Sequence, residues 1–111
     1  IVDANKWQAM GRTSEVIDLD TPMDGKMSIG SLCSKFEAFG WTPYRIDGHN
    51  HKEIENILSV IGVYHGPNGR PSFVHADTIK GKGVSFMEDH LLYHYKNISD
   101  EEYEEAMAEL A

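Results

Sequence analysis

Two lysines and two glycines form the most distinctive candidate binding segment in this sequence. Lys80, Gly81, Lys82 and Gly83 closely follow residues 72–76, a short apolar run that reads as a buried strand. Glycine lets a backbone approach a ligand closely, and open parallel sheets bind ligands beyond the carboxyl ends of their strands. The segment therefore suits a phosphate or diphosphate, although a Gly-Lys-Gly sequence by itself is more often a solvated turn.

A second candidate, Asn5, lies where residues 1–5 read as the end of a strand running into a polar loop. An asparagine oxygen and a neighbouring backbone carbonyl are hard ligands, which suit magnesium or calcium held against a phosphate. The alternative is an asparagine that only satisfies the backbone of its own loop. The residues alone leave both interpretations open.

Other groupings of metal-binding residue types are weaker. His90 and His94 are four residues apart, like zinc ligands on a helix, but no helix is predicted there and the zinc-protease glutamate is absent. Asp18, Asp20 and Asp24 lack the spacing and closing glutamate of a calcium loop. We therefore expect neither a zinc site nor a calcium loop.

The composition bounds the class of protein. The 111 residues suffice for one small domain, and the net charge of -8 argues against binding to nucleic acid. The single cysteine, Cys33, cannot form an internal disulfide, which favours a reducing, cytoplasmic setting; it falls on an apolar helix face and is expected to be inert. No apolar run approaches the roughly 20 residues of a membrane helix. The chain starts inside a strand without methionine, so we expect part of a longer polypeptide.

The elements that must position these residues alternate along the chain: strand, loop, helix, strand, helix, strand, loop, helix. Each helix has one apolar face and a predicted capping residue. The first helix has the apolar face Ile29, Leu32, Cys33 and Phe36, begins at Ser28 as cap and ends at Gly40. The second has the face Ile54, Ile57, Leu58 and Ile61 and a capping box of Asn50 and Glu53. The third has the face Tyr103, Ala106, Met107 and Leu110 and a capping box of Ser99 and Glu102. This alternation predicts an α/β fold, part of a doubly wound, mostly parallel sheet flanked by helices.

Three segments in the same order resemble the cofactor-binding amino-terminal domain of transketolases, which has the thiamin diphosphate-binding fold. They are residues 1–13, which resemble the end of the thiamin diphosphate motif; residues 36–41 with residues 46–49; and residues 80–88 with Tyr93 and His94. The resemblance covers essentially the whole chain and is closest to the separately encoded subunits of prokaryotes. It implies that residues 1–111 are the carboxyl-terminal portion of the diphosphate-binding domain, and that the upstream part of that domain is absent.

The resemblance also implies roles for individual residues. Asn5 and the carbonyl of Trp7 match the ligands of a divalent cation, Mg²⁺ or Ca²⁺. Ala9 matches a position that lines the cofactor pocket, and Lys80 matches one that reaches the diphosphate. His94 matches a histidine that lies beside the diphosphate and acts on the substrate as a catalytic residue. The segment Asp47, Gly48 and His49 matches a family signature that we expect to serve folding of its turn.

The activity so implied is transfer of a two-carbon ketol unit between sugar phosphates, as in the pentose phosphate pathway. The family's pyrimidine-binding domain or subunit is missing, so a dimer or heterotetramer is expected, and this chain alone should be inactive. Two alternatives remain. One is a sister thiamin diphosphate enzyme, such as a deoxyxylulose-phosphate synthase or a dehydrogenase component. The other is a non-catalytic structural module, which Ala4 and Tyr95 would support because they replace an asparagine and a glycine of the family.

Overall fold

The computed structural model describes residues 1–16, 31–63 and 69–111, without the side chains of residues 62 and 63. The predictions made for Asp18, Asp20, Asp24 and Ile29 lie outside the described residues. None of the described helices is long and apolar enough to cross a membrane. In chain order the elements are strands β1 (Val2–Ala4), β2 (Trp7–Gln8) and β3 (Gly11–Arg12), helices α1 (Thr13–Val16) and α2 (Leu32–Ala38), strand β4 (Thr42–Asp47), helix α3 (His51–Val63), strand β5 (Ser72–Asp77), a 3-10 helix (Leu91–His94) and helix α4 (Asp100–Leu110).

The main sheet has three parallel strands in the order β1-β5-β4, which confirms the predicted α/β class. Its register aligns the strand ends, because Asp77 of β5 lies opposite both Ala4 of β1 and Asp47 of β4. The residues that follow these three positions therefore emerge at one edge of the sheet. This edge is where ligands bind in open parallel sheets.

Strand β5 is the centre of the core. Its residues from Phe73 to Ala76 are all buried, as the apolar run predicts, and Val74 and His75 are each 1% exposed. Helix α2 covers one part of the strand through Phe36, whose ring stacks on that of Phe73 with 3.9 Å between centroids. Burial on both sides suits a central strand of a parallel sheet.

Helix α2 begins later than the sequence predicts. The cap is Ser31, whose Oγ accepts the backbone N–H of Ser34 at 3.2 Å, and not the predicted Ser28, which lies outside the described residues. Cys33 is buried on this helix, as predicted. Gly40 ends the helix with φ of 87°, which confirms the predicted left-handed exit.

Helix α3 has the predicted cap but not the reciprocal capping box. Asn50 Oδ1 accepts the backbone N–H of Glu53 at 3.3 Å, while the Glu53 carboxylate accepts the backbone N–H of Asp47 at 2.8 Å. The Asn50 backbone N–H donates to the carbonyl of Asp47, and the Glu53 carboxylate accepts the side-chain amide of Asn50 at 3.1 Å. On the predicted apolar face Ile57 is buried, whereas Leu58 is 45% exposed.

Helix α4 has the capping box that the sequence predicts, with Ser99 and Glu102 each accepting the other's backbone N–H. Its apolar face is only partly covered. Ala106 is buried, whereas Tyr103, Met107 and Leu110 are 50%, 49% and 61% exposed. The capping box was therefore predicted correctly, and three of the four residues on the predicted apolar face are largely exposed.

Candidate functional site

The turn after β4 packs directly against the end of β5. Gly48 donates its N–H to the carbonyl of Asp77 at 2.7 Å. A Cβ atom at Gly48 would overlap Cγ2 of Thr78, so the approach requires glycine. The next residue, His49, accepts the backbone N–H of Ile79 through Nε2 at 2.7 Å. The turn that we expected to serve only its own folding thus also holds the chain as it leaves β5.

Asn5 shapes the loop after β1, residues 5–7, which we call the Asn5 loop. Its Oδ1 accepts the backbone N–H of Trp7 at 2.9 Å, and its Nδ2 donates to the Asp3 carboxylate at 3.3 Å. Lys6, between Asn5 and Trp7, has φ of 68°, a left-handed conformation that few residues other than glycine adopt. The Asp3 carboxylate also accepts the hydroxyl of Thr78, which ties this loop to the exit of β5. One lone pair of Asn5 Oδ1 is used by Trp7, and a second is available to a cation.

A short hairpin, which sequence reasoning interpreted as a loop, presents Trp7. Strands β2 and β3 pair Trp7 with Arg12, and the Arg12 guanidinium lies 4.3 Å from the centroid of the indole ring. Ala9, predicted to line the cofactor pocket, lies exposed in the turn of this hairpin. The hairpin therefore orients the indole and a guanidinium as one stacked unit.

Asp89 joins the hairpin to the far end of the chain. One carboxylate oxygen accepts the N–H of Trp7 Nε1 at 2.6 Å, and the other accepts an Arg12 N–H at 2.8 Å. Hydrogen bonding by Arg12, followed by that from the indole, lowers the pKa of the Asp89 carboxyl below its usual value. Sequence reasoning missed this residue, and a lone aspartate so far from its partners in the chain carries no signal that could identify it.

The lysine loop, which we define as residues 80–89, closes on itself. Asp89 donates its N–H to the carbonyl of Lys80 at 2.9 Å. Lys82 is paired with Glu88 at 3.3 Å, and the Gly83 N–H and the Lys82 ammonium together lower the pKa of Glu88. Lys80, in contrast, has no ion-pair partner in the described part of the chain. Of the two lysines, Lys80 is thus the one without an ion pair among the described residues.

His94 lies exposed at the end of the 3-10 helix, with its ring edge-on to that of Tyr95 at 5.2 Å. The segment is anchored from behind by Glu102, which accepts the Tyr93 hydroxyl at 3.0 Å and the Lys96 ammonium at 2.5 Å. The Lys96 ammonium, together with the Ser99 N–H and the Tyr93 hydroxyl, lowers the pKa of Glu102 to about 2.

The structure brings some of the predicted residues together and leaves others apart. Asn5, Trp7, Asp89 and Lys80 form one continuous series of hydrogen bonds. Within the described ranges, His94 has no hydrogen bond to any of them. The Asn5 loop and Lys80 are thus connected by hydrogen bonds, whereas His94, the predicted catalytic residue, is not hydrogen-bonded to them within the described ranges.

A pocket of about 390 Å³ lies beside β1 and the hairpin. Its lining mixes apolar and charged groups: Val2, Asp3, Ala4, Lys6, Trp7, Arg12, Thr13, Ser14, Leu32, Arg45 and Asp77. Arg45 donates to both oxygens of Asp77 at 2.6 and 2.8 Å, which holds the pKa of Asp77 below its usual value. Trp7 is the predicted site residue in this lining, so the pocket adjoins the Asn5 loop without containing the lysine loop.

The donors at the Asn5 loop suit a hard divalent cation. The Asn5 amide oxygen and the Trp7 carbonyl are the oxygen ligands that Mg²⁺ and Ca²⁺ prefer. Among the described residues, no three His, Cys, Asp or Glu side chains cluster closely enough to hold a metal ion. A cation at Asn5 would therefore need further oxygen ligands from a bound anion or from chain outside these residues.

The chain is similar to bacterial transketolase subunits along nearly its whole length. It is 38% identical over 108 residues to the 6-deoxy-6-sulfo-D-fructose transketolase subunit SqwG of Clostridium sp. (strain MSTE9), covering 97% of this chain and 34% of that protein. It is 33% identical over 111 residues to one of the subunits of the apulose-4-phosphate transketolase of Phocaeicola vulgatus, covering 100% of this chain and 35% of that protein.

The corresponding apulose-4-phosphate transketolase protein of Actinobacillus succinogenes is 34% identical over 110 residues, which are 99% of this chain and 35% of that protein. No family model matches the chain. The chain thus spans about a third of the length of the curated relatives that it matches.

Proposed function

We propose that this chain, a homologue of transketolase subunits, is the carboxyl-terminal portion of the diphosphate-binding domain of such a protein. The observation that carries the proposal is the hydrogen-bonded series from Asn5 through Trp7 and Asp89 to Lys80. It joins hard oxygen donors to a lysine without an ion-pair partner among the described residues, at the edge of a parallel sheet where ligands bind.

In this proposal the oxygens of Asn5 Oδ1 and of the Trp7 carbonyl hold Mg²⁺ or Ca²⁺, and Lys80 binds the diphosphate of thiamin diphosphate. An ammonium group is a compact positive charge, so Lys80 lowers the free energy of the anion without fixing its orientation tightly. Ala9 is proposed to line the cofactor pocket from the turn of the hairpin. The cofactor, when bound, supplies the thiazolium chemistry that a protein side chain cannot perform.

We propose that His94 transfers protons to and from the substrate. It is exposed, so a substrate oxygen can reach its ring nitrogens, and an imidazole can both donate and accept a proton. The Tyr95 ring restrains the imidazole from one side. His94 therefore suits a general acid and base at the hydroxyl and carbonyl oxygens of a sugar phosphate.

The proposed reaction is transfer of a two-carbon ketol unit between sugar phosphates in a larger assembly. The pyrimidine-binding domain or subunit must come from outside these residues, and its contribution would complete a dimer or heterotetramer. The relatives are themselves named as transketolase subunits, one for a sulfo-sugar and two for a sugar phosphate, so the anionic end of the substrate is expected to vary.

The proposal is tested by calorimetric titration of thiamin diphosphate with and without magnesium. The protein is the longest native chain containing this segment, with its pyrimidine-domain partner present. Lys80→Ala should weaken cofactor binding, because the positive charge proposed to bind the diphosphate is removed, while His94→Ala should chiefly slow turnover of a ketose donor. Lys52→Ala and His51→Ala, two exposed positions on α3, are the matched controls and should leave both quantities unchanged.

Binding that depends on magnesium and on Lys80 would support the proposal. Normal affinity and normal turnover in both site variants would contradict the assigned residues. Absence of any binding, with the partner confirmed in the complex, would favour the alternative of a non-catalytic structural module, in which Ala4 and Tyr95 replace family residues.

A further inference from the structure

We propose that Asp89 is a positioning residue, which locks the Asn5 loop against the lysine loop so that the cation and the diphosphate bind as one linked event. This inference rests on the proposed function for the identity of the two ligands. Its geometric part, the lock itself, concerns residues of this chain and can be measured without any ligand.

Both carboxylate oxygens of Asp89 accept hydrogen bonds from side chains of the hairpin formed by β2 and β3. One accepts the indole N–H of Trp7 at 2.6 Å, and the other accepts the guanidinium of Arg12 at 2.8 Å. Because the guanidinium also stacks on the indole, these three side chains restrain one another in position and in angle. The indole belongs to the residue whose N–H is bound by Asn5, so the lock reaches the proposed cation ligands directly.

The backbone of Asp89 makes the second connection. Its N–H donates to the carbonyl of Lys80 at 2.9 Å, which fixes the residue that carries the proposed diphosphate lysine. Asp89 has φ of 53°, a left-handed conformation in which residues other than glycine persist only where their surroundings impose it. One residue thus joins both halves of the site, through its side chain to one and through its main chain to the other.

Charge gives Asp89 a second effect on the same loop. Arg12 lies next to Trp7, whose carbonyl is proposed to bind a divalent cation, and an unpaired guanidinium there would repel that cation. The Asp89 carboxylate neutralises Arg12 through an ion pair of 2.8 Å. Loss of the carboxylate should therefore weaken cation binding, and because the two binding events are coupled it should also weaken binding of the diphosphate at a magnesium concentration that does not saturate the site.

The test is a double-mutant cycle with Trp7→Phe and Asp89→Asn in the full-length protein with its partner. Asparagine preserves side-chain volume and tolerates the left-handed conformation, but its amide cannot satisfy both donors. Each single variant should raise the Kd of thiamin diphosphate about tenfold at fixed magnesium, a change of about 1.4 kcal/mol, and the double variant should also raise it about tenfold. Glu104→Gln, an equal charge change on an exposed position of α4, should leave the Kd unchanged.

Hydrogen exchange in the ligand-free protein separates failure of this inference from failure of the proposed function. Asp89→Asn should accelerate exchange in residues 5–13 and in residues 80–84 together, which a merely local loss would not do. A Kd that rises about a hundredfold in the double variant, or that is unchanged in Asp89→Asn, would overturn the linkage. Unchanged exchange in either segment would overturn the lock, whether or not thiamin diphosphate binds to the wild-type protein.

Discussion

Replacement of Gly81 by alanine should destabilise the chain far more than the same replacement at other glycines with positive φ. Gly81 has φ of 71°, and a Cβ atom there would lie 2.5 Å from the carbonyl oxygen of Met87. The left-handed conformation costs alanine about 1 kcal/mol, and the overlap adds about 1–3 kcal/mol because its partner is backbone rather than a movable side chain. We therefore expect a loss of about 2–4 kcal/mol in the free energy of unfolding.

Two other glycines provide matched controls. Gly40 has φ of 87° with nothing within 4 Å of a built Cβ, so Gly40→Ala should cost only the conformational part, about 1 kcal/mol. At Gly83 the nearest atom is the flexible Leu110 Cδ2 at 3.3 Å, so that variant should be intermediate. Urea unfolding gives the three free energies, provided that the slopes with denaturant agree. Equal midpoints for Gly81→Ala and Gly40→Ala would refute the assigned contact with Met87.

Three further predictions concern packing and charge. Gly48→Ala should lower the free energy of unfolding by about 1–3 kcal/mol and displace the chain that follows β5. The displacement would be measured as faster hydrogen exchange at residues 77–80, and normal exchange there would be inconsistent with the close approach to Thr78. Phe73→Ala should lower the free energy of unfolding by about 3–5 kcal/mol, since the ring is 2% exposed and stacked on Phe36, and a loss below about 1 kcal/mol would argue against that stack. Glu102 has a folded-state pKa of about 2, below its ordinary value of 4.5, so its contribution is present above pH 4.5 and is lost as the pH falls towards 2; Glu102→Gln should flatten acid unfolding curves across that interval, and parallel curves would contradict the ion pair.

The sheet and its edge could be predicted because local patterns specify them. A continuous apolar run predicts the buried strand β5, and parallel strands necessarily place the residues after Ala4 and Asp77 at a common edge. The caps of α3 and α4 follow from residues three positions apart, which makes them visible in sequence. These features depend on neighbours in the chain or on a general rule of topology.

The Asp89 lock could not be predicted, because it depends on contacts between distant positions. Asp89 contacts Trp7 and Arg12 only when the lysine loop packs against the hairpin, and no local sequence pattern predicts such a contact. The start of α2 was misplaced because two serines, Ser28 and Ser31, are equally good caps, and only the hydrogen bond to the helix decides between them. A choice between chemically equivalent neighbours needs tertiary information.

The strand order has a consequence for how this chain folds as it is synthesised. In the described sheet, β1 and β4 do not pair with each other; each pairs with β5, the last of the three to be made. At about 5–20 residues per second, the ribosome adds the chain between β1 and β5 over several seconds. Until β5 emerges, the two earlier strands have no partner in this sheet. Nascent chains in which β5 is still inside the ribosome should therefore be more vulnerable to protease and more dependent on chaperones than chains from which β5 has emerged.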